Sequence, residues 1–250
     1  MKKAIKVAIL ALAATPTVLH ADQDWSYRLS PYLWFAGIEG DISTVEGSPV
    51  IPIDISSSDA LRDNELSLMF IFEAKKQRHG MLIDFLYTDT QSDTLLIDAL
   101  NLNLKSTSKN TVLSAAYVYE LQKQDKTSVD FFAGLRYWDI ETKLKFEGGL
   151  GFLAGRQIKD SEDWIDPFLG IKGRASLGDS NFYVSGWAGL GGFGVGSDSF
   201  YDIAANIGYQ WNNAIGTTLG YREFSVDYED DGFVYDVSQP GWALGLTWAF

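Results

Sequence analysis

The chain ends in PGWALGLTWAF. Pro240, Trp242, Leu244, Leu246, Trp248 and Phe250 fall on one side of an extended strand, and Gly241, Ala243, Gly245, Thr247 and Ala249 on the other. Side chains of a strand alternate between faces, so one face is large and apolar and the other small. The same period of two recurs upstream. In VDFFAGLRYWD, Val129, Phe131, Ala133, Leu135 and Tyr137 oppose Asp130, Phe132, Gly134, Arg136 and Trp138. In WIDPFLGIKGRAS, Ile165, Pro167, Leu169 and Ile171 oppose Asp166, Phe168, Lys172 and Arg174. In YDIAANIGYQW, Tyr201, Ile203, Ile207 and Tyr209 oppose Asp202, Asn206 and Gln210, and in MLIDFLY the apolar face opposes Asp84.

A half-buried sheet in a soluble protein turns a polar face to water. Here the bulky apolar face stands opposite a face that carries charge. Apolar outside and mixed polar inside is the pattern of a transmembrane barrel. Lipid offers no hydrogen bonds, so such a sheet must close on itself and leave no edge. The competing architecture is a soluble secreted β-sandwich. It would require the apolar faces to meet each other and would partition into the soluble fraction.

The first residues, MKKAIKVAILALAATPTVLHA, follow a different rule. Lys2, Lys3 and Lys6 precede an apolar run from Val7 to Ala14, far short of the roughly 20 residues that a membrane helix needs. Residues 1–21 read as a secretory signal peptide ending near Ala21, leaving 22–250 as one barrel domain. Its removal takes three lysines and no acid, leaving 17 basic against 33 acidic residues. No later apolar run is long enough for a helical span.

Ten strands are expected at 24–40, 64–75, 79–91, 108–121, 127–147, 163–176, 181–194, 198–211, 214–229 and 233–250, with eight or twelve as alternatives. An even count puts both termini on one side. The connections around 75–79, 122–126, 178–181 and 212–214 are short and polar and read as periplasmic turns. The long ones, 41–63, 92–107 and 148–162, face outward, with two short outer turns near 195–197 and 230–232. Segment 92–107 alternates in part and could extend both neighbouring strands above the membrane. Residues 134–196 hold 14 of the 24 glycines, which reads as barrel curvature.

Composition excludes several functions. Hydrophobic residues at 46% and aromatics at 14% rule out a disordered chain. A net charge of -13 with no dense basic block makes nucleic acid an unfavourable partner. The absence of cysteine removes disulfides, thiolate metal sites and cysteine nucleophiles. No cofactor or metal site is expected: there is no phosphate-cradling glycine motif, and YEDDG does not fit the calcium loop. Acidic residues gather instead in the expected outer loops, as Asp54, Asp59, Asp63 and Glu65, as Asp160, Glu162, Asp163 and Asp166, and as Asp227, Glu229, Asp230, Asp231 and Asp236. They read as a hydrated surface; the alternative is bridging by divalent cations to lipopolysaccharide, or calcium binding.

The signal segment, the terminal Phe250 with apolar residues at alternating positions before it, and aromatic, glycine-rich strands such as SPYLWFAG and FAGLRYW carry a resemblance. The chain resembles small bacterial outer-membrane β-barrel proteins of the opacity-type and outer-membrane protein A transmembrane class. The resemblance implies the outer membrane of a Gram-negative bacterium, contact with its lipids and lipopolysaccharide, and recognition of the C-terminal strand ending at Phe250 by the barrel-assembly machinery. It implies no single activity, because the class includes adhesins, tethers, small pores and enzymes. No appended periplasmic domain is expected, unlike in tether-type members.

Barrel enzymes that resemble this class carry a histidine near the outer rim, where it can take a proton near neutral pH. The sequence has only His20, in the signal segment, and His79, in an expected periplasmic turn. An outer-rim catalytic set cannot be assembled from these, so the protein is read as no enzyme.

The charges of the inward face are the candidate site residues. Arg136, Arg174, Lys172 and Arg222 stand with Asp84, Asp130, Asp166 and Asp202 as candidate lumen-lining residues, with Arg28, Glu65, Glu73 and Glu120 also placed inward. Confined charges need partners or water. They either interlock and plug the barrel or line a narrow wet channel. Barrels of about eight strands are filled by side chains, and ten is near that end. Trp34, Phe132, Trp138 and Phe168 point inward and narrow the lumen further. The reading is a monomeric all-β, antiparallel ten-stranded transmembrane barrel with a mostly filled interior and a structural or surface-interaction role. The alternative is a small porin-like channel for ions or small solutes.

Overall fold

The computed structural model describes residues 25–45, 48–97, 102–124, 126–147 and 155–250. The expected signal segment lies outside the described residues. The elements are β1 (Trp25–Ala36), β2 (Ile38–Ser43), β3 (Ile51–Ile55), α1 (Ser57–Asp63), β4 (Asn64–Lys76), β5 (His79–Ile97), β6 (Leu102–Gln124), β7 (Thr127–Glu147), β8 (Gln157–Ser176), β9 (Phe182–Gly192), β10 (Ser199–Gln210), β11 (Ile215–Asp230) and β12 (Phe233–Ala249).

Ten of these strands form a ring. β1 pairs with β4, each strand from β4 to β12 pairs with the next, and β12 returns to β1, antiparallel throughout. The closing register runs from Arg28↔Ala249 to Ala36↔Gly241. Tyr27 and Phe250 complete it with two backbone bonds of 3.0 Å each. This closed, ten-stranded transmembrane barrel has the fold of Gram-negative outer-membrane proteins. No helix among the described residues is long and apolar enough to cross a membrane, so crossing falls to the strands.

The outer surface explains why the sequence alternates. Met81, Leu135, Ile165, Ile203, Leu219 and Leu246 are all exposed. An apolar belt of this kind is stable only against lipid. Its upper limit is marked by Tyr87, Tyr137, Tyr201, Tyr221 and Trp242. On the same outward face, two residues further along β5, β7 and β11, come Asp89, Asp139 and Glu223. Trp25, Tyr27, Trp211 and Phe250 form the opposite girdle, where aromatic rings suit the headgroup boundary.

Short turns join neighbouring strands at the end where β1 begins and β12 finishes. β4 and β5 are joined through Gln77 and Arg78, with Gln77 at φ 55°. At the far end Asp231 and Gly232 form a two-residue turn with φ 41° and 88°, as a primed hairpin turn requires. Segments expected as outer connections are partly strand. β5 runs to Ile97 and β6 starts at Leu102, paired from His79↔Tyr119 to Ile97↔Leu102 with a register shift between Leu95 and Ile97. β8 starts at Gln157 rather than 163, paired with Lys145 of β7. A ladder that already satisfies its backbone groups can continue past the lipid into water, and these strands do.

The 41–63 connection is also structured. β2 follows β1 beyond Gly37 and pairs with β12 between Glu39↔Ser238 and Ser43↔Val234; β3 folds back on β2. α1 follows, with the Ser56 side chain capping the Asp59 amide at 3.2 Å. One inward assignment is corrected. Glu65 is exposed, because the β4–β5 register shifts between Asn64 and Leu66 and turns it out.

The glycine-rich region has a packing cause. The ring of Phe132 lies where a Cβ on Gly170 would stand, and the ring of Phe200 where a Cβ on Gly191 would stand. Absent side chains on one strand make room for inward aromatics of another.

Candidate functional site

The interior is the candidate site, and it is layered. In the middle layer, Arg222 of β11 donates from Nε and Nη2 to Asp202 of β10, at 3.0 and 2.7 Å. Its Nη2 also reaches Asp84 Oδ2 of β5 at 3.0 Å, and its Nη1 reaches the Tyr32 hydroxyl of β1 at 2.9 Å. Tyr32 in turn donates to Asp84 Oδ1 at 2.9 Å. Arg136 of β7 donates to Asp202 Oδ2 at 2.9 Å and to the Ser114 hydroxyl of β6 at 2.8 Å. Trp187 of β9 donates to Asp202 Oδ1 at 2.9 Å.

Two guanidinium groups thus balance two carboxylates, and the links cross the lumen from β5 to β11 and from β7 to β10. Asp84, Arg136, Asp202 and Arg222 are all buried. Charges taken out of water this far are tolerable only when paired and hydrogen-bonded. Aromatic rings complete the seal. The Arg136 guanidinium lies 4.7 Å from the Phe200 ring centre and that of Arg222 5.0 Å from Trp34.

The lower layer faces the short turns. Glu73 of β4 accepts from Arg28 of β1 at 3.2 Å and pairs with Lys172 of β8. Lys75 holds Asp130 at 2.8 Å and Glu120 at 3.3 Å, a cation between two acids that face each other across β6 and β7. Arg174 lies 3.5 Å from the Tyr183 ring centre and donates to Gln210 at 2.7 Å.

The upper layer contains Asp166, which is fully buried. It accepts from the indole nitrogens of Trp138 and Trp164 at 2.9 and 3.1 Å, and from the Ser197 amide and hydroxyl at 2.7 Å each. Its place in the outer acidic group is corrected: it faces inward on β8, not into a loop. Asp166 stands opposite Arg136 in register, yet Arg136 pairs with Asp202 instead.

The structure thus brings Arg136, Arg222, Asp84 and Asp202 into one lattice, places Lys172 and Asp130 in a second, and leaves Arg174 and Asp166 with neutral partners. Tyr32, Ser114, Trp187, Ser197 and Lys75 join these networks without having been singled out from sequence. Tyr32 and Trp187 had a usable signal, because each shares the inward phase of its strand. Ser197 sits in a turn where alternation says nothing.

A lower cavity of about 200 Å³ and an upper one of about 470 Å³ flank the middle layer. Asp84, Arg136 and Arg222 are the residues that line both. They form the partition. Both cavities mix apolar and polar side chains, and the upper one presents the larger apolar surface.

His79 is exposed at the turn end, its Nδ1 bonded to the Tyr117 hydroxyl. Among the described residues no group of three or more His, Cys, Asp or Glu is disposed to hold a metal.

No protein-family model and no curated protein sequence matches the chain. Solved structures do match in shape. The outer membrane protease OmpT from Escherichia coli superposes with a TM-score of 0.61 at 9% identity, over 92% of this chain and 98% of that one. The transport unit of the autotransporter AIDA-I from Escherichia coli gives 0.42 at 8% identity, over 93% and 92%. Ail, the attachment invasion locus protein of Yersinia pestis, gives 0.39 at 11%, over 91% and 99%. At these identities the first likeness concerns the fold alone, an outer-membrane β-barrel.

Proposed function

We propose that the protein is a non-conducting outer-membrane barrel that acts at the cell surface by contact, without chemistry or permeation. The observation that carries this reading is the partition: Arg222 joins Asp84, Asp202 and Tyr32 across the lumen, and Asp84, Arg136 and Arg222 lie between the two cavities and line both. A second latticework beneath it, from Glu73 to Lys172, supports closure further. Against an enzymatic role stands the position of His79, at the turn end and engaged with Tyr117.

The surface for contact is the outer extension built by β2, β3, α1 and the upper parts of β5 to β8. Its acids, among them Asp163 of β8, together with Asp227 and Asp236 of the neighbouring β11–β12 hairpin, suit bridging by divalent cations to lipopolysaccharide phosphates. Phe250 ends the closing strand, in keeping with recognition by the barrel-assembly machinery, and we take the protein to be a monomer. The finer resemblance to the opacity-type and outer-membrane protein A class belongs to this proposal and rests on the features of sequence given above.

The rival reading is a small porin-like channel for ions or small solutes, favoured by the cavities on both sides of a single partition layer. Liposome swelling separates the two. Proteoliposomes holding folded protein should swell in neither a small sugar nor a small salt faster than protein-free ones. Swelling that rises with protein content would overturn the proposal.

A further inference from the structure

The upper chamber has apolar side chains interspersed with hydroxyl and amide groups such as Ser67, Thr88 and Asn110 on its walls, and a charged floor. Ile38, Ile42, Ile53, Met69, Leu86 and Val112 are among its wall residues. Two of its lining residues carry N–H donors that meet no acceptor: Nε1 of Trp34 and Nη1 of Arg136. Trp34 is 9% exposed and Arg136 4%. Both pack on Phe224, the indole edge-on at 6.5 Å and the guanidinium at 5.1 Å. Buried donors are nearly always paired, so these two call for an acceptor, while Asn64 Oδ1, unpaired on the same lining, calls for a donor that water can supply.

The charge of that acceptor follows from the floor. Arg136 and Arg222 are already balanced by Asp84 and Asp202, and Asp84 itself lines the chamber. A further carboxylate would face Asp84 with no further cation to offset it among the described lining residues. A neutral oxygen would not.

The side wall indicates the rest of the molecule. The β1–β4 ladder stops at Pro31↔Phe70. Proline has no N–H to continue it. Beyond this point Tyr32–Ala36 pair only with β12, and Leu66–Met69 only with β5. α1 packs against β1 and β5, and its Ala60 and Leu61 line the chamber. Phe35, on the outward face of β1, lines the chamber too. Here side chains rather than a hydrogen-bonded ladder separate the chamber from the apolar belt. A cavity of about 470 Å³ lies within the roughly 300–1,000 Å³ of small-molecule sites.

We propose that the upper chamber binds one uncharged, chain-like apolar molecule with a carbonyl oxygen, which accepts from Trp34 Nε1 and Arg136 Nη1. The source is either a free ketone or ester or the acyl ester of a membrane lipid. The inference rests on the closed floor of the preceding section, but swelling reads the floor whereas the experiment below reads the chamber.

The test uses the full chain in lipid nanodiscs and methyl nonyl ketone labelled with carbon-13 at the carbonyl. Saturable binding with a downfield carbonyl shift is expected. Trp34→Phe, which keeps a ring but removes the donor, should weaken it by about five- to tenfold, the loss of one neutral hydrogen bond. Leu86→Trp, which fills the chamber, should abolish it. Undecane and, at alkaline pH, undecanoate should compete at least tenfold more weakly than unlabelled ketone. Folding of each variant is checked by its migration, boiled and unboiled, in detergent gels. Equal affinity in ester-linked and ether-linked lipid discs assigns the site to a free molecule. Tighter binding in ether-linked discs assigns it to a lipid ester. No saturable shift, a shift unaltered in folded Leu86→Trp, or undecanoate competing as well as the ketone would overturn the proposal, the first result leaving water as the partner of the two donors.

Discussion

Arg222→Met tests the energetics of the partition. Methionine keeps much of the volume and removes the charge. The replacement breaks four hydrogen bonds, two to Asp202 and one each to Asp84 and Tyr32. The two acids are left in different positions. Asp202 keeps Arg136 at 2.9 Å and the Trp187 indole at 2.9 Å. Asp84 keeps only the Tyr32 hydroxyl at 2.9 Å. Removing one partner of a buried ion pair costs about 3–5 kcal/mol, most of it for the stranded charge. Asp84 is that charge, so Arg222→Met combined with Asp84→Asn should recover about 2 kcal/mol of the loss. Urea unfolding of the refolded barrel in lipid vesicles, followed by tryptophan emission, measures both. A single variant within about 1 kcal/mol of the parent, or a double variant no more stable than the single, would refute the reasoning.

Other outcomes follow from the same architecture. Leu246 is 47% exposed on the lipid face and Thr247 is 9% exposed on the inner face, so Leu246→Arg should cost roughly 2–4 kcal/mol and sharply lower outer-membrane yield. Thr247→Ser should leave yield unchanged, and equal yields would contradict the facing. Deletion of Phe250 removes two closing bonds to Tyr27 and its stacking at 5.7 Å, so the boiled and unboiled gel forms should separate less completely and assembly should slow. Above the lipid belt, burial, then Asp236, Asp198 and Glu229, push the Asp227 carboxyl above the usual range. A raised carboxyl pKa stabilises the folded state while protonated, and the gain is lost as pH rises through the folded value. Hydrogen-exchange protection of the β11–β12 hairpin, corrected for intrinsic rates, should therefore be greater below the ordinary carboxylate value, 3.8, than near neutral pH, and Asp227→Asn should flatten that difference. Protection that rises with pH would contradict it.

The fold was legible because one constraint acts on every lipid-facing position. Leu135, Ile165, Ile203 and Leu246 each obey a period of two, and ten such segments suffice to count the strands. Departures came where lipid no longer applies that constraint. Above the belt β5 and β6 continue as a paired ladder, and β2, β3 and α1 build a hairpin and helix that neither periodicity nor composition marked. The membership of the inner face was legible for the same reason, but not its pairing. Arg222 and Asp84 are 138 residues apart and on strands four steps apart around the ring. Register offered Asp166 to Arg136, whereas the indoles of Trp138 and Trp164 and the Ser197 turn hold Asp166 instead. Alternation tells which way a side chain points and not how far across a lumen it reaches.

The central claim is that the middle layer closes the barrel, and planar-bilayer conductance tests it most directly. Protein refolded in detergent, with folding confirmed in the same batch, should insert and remain silent. Arg222→Met, in which Asp84 and Tyr32 lose their tie to β11, should show brief openings if it folds. Discrete, reproducible openings from the unaltered protein would contradict the account and make the partition a gate.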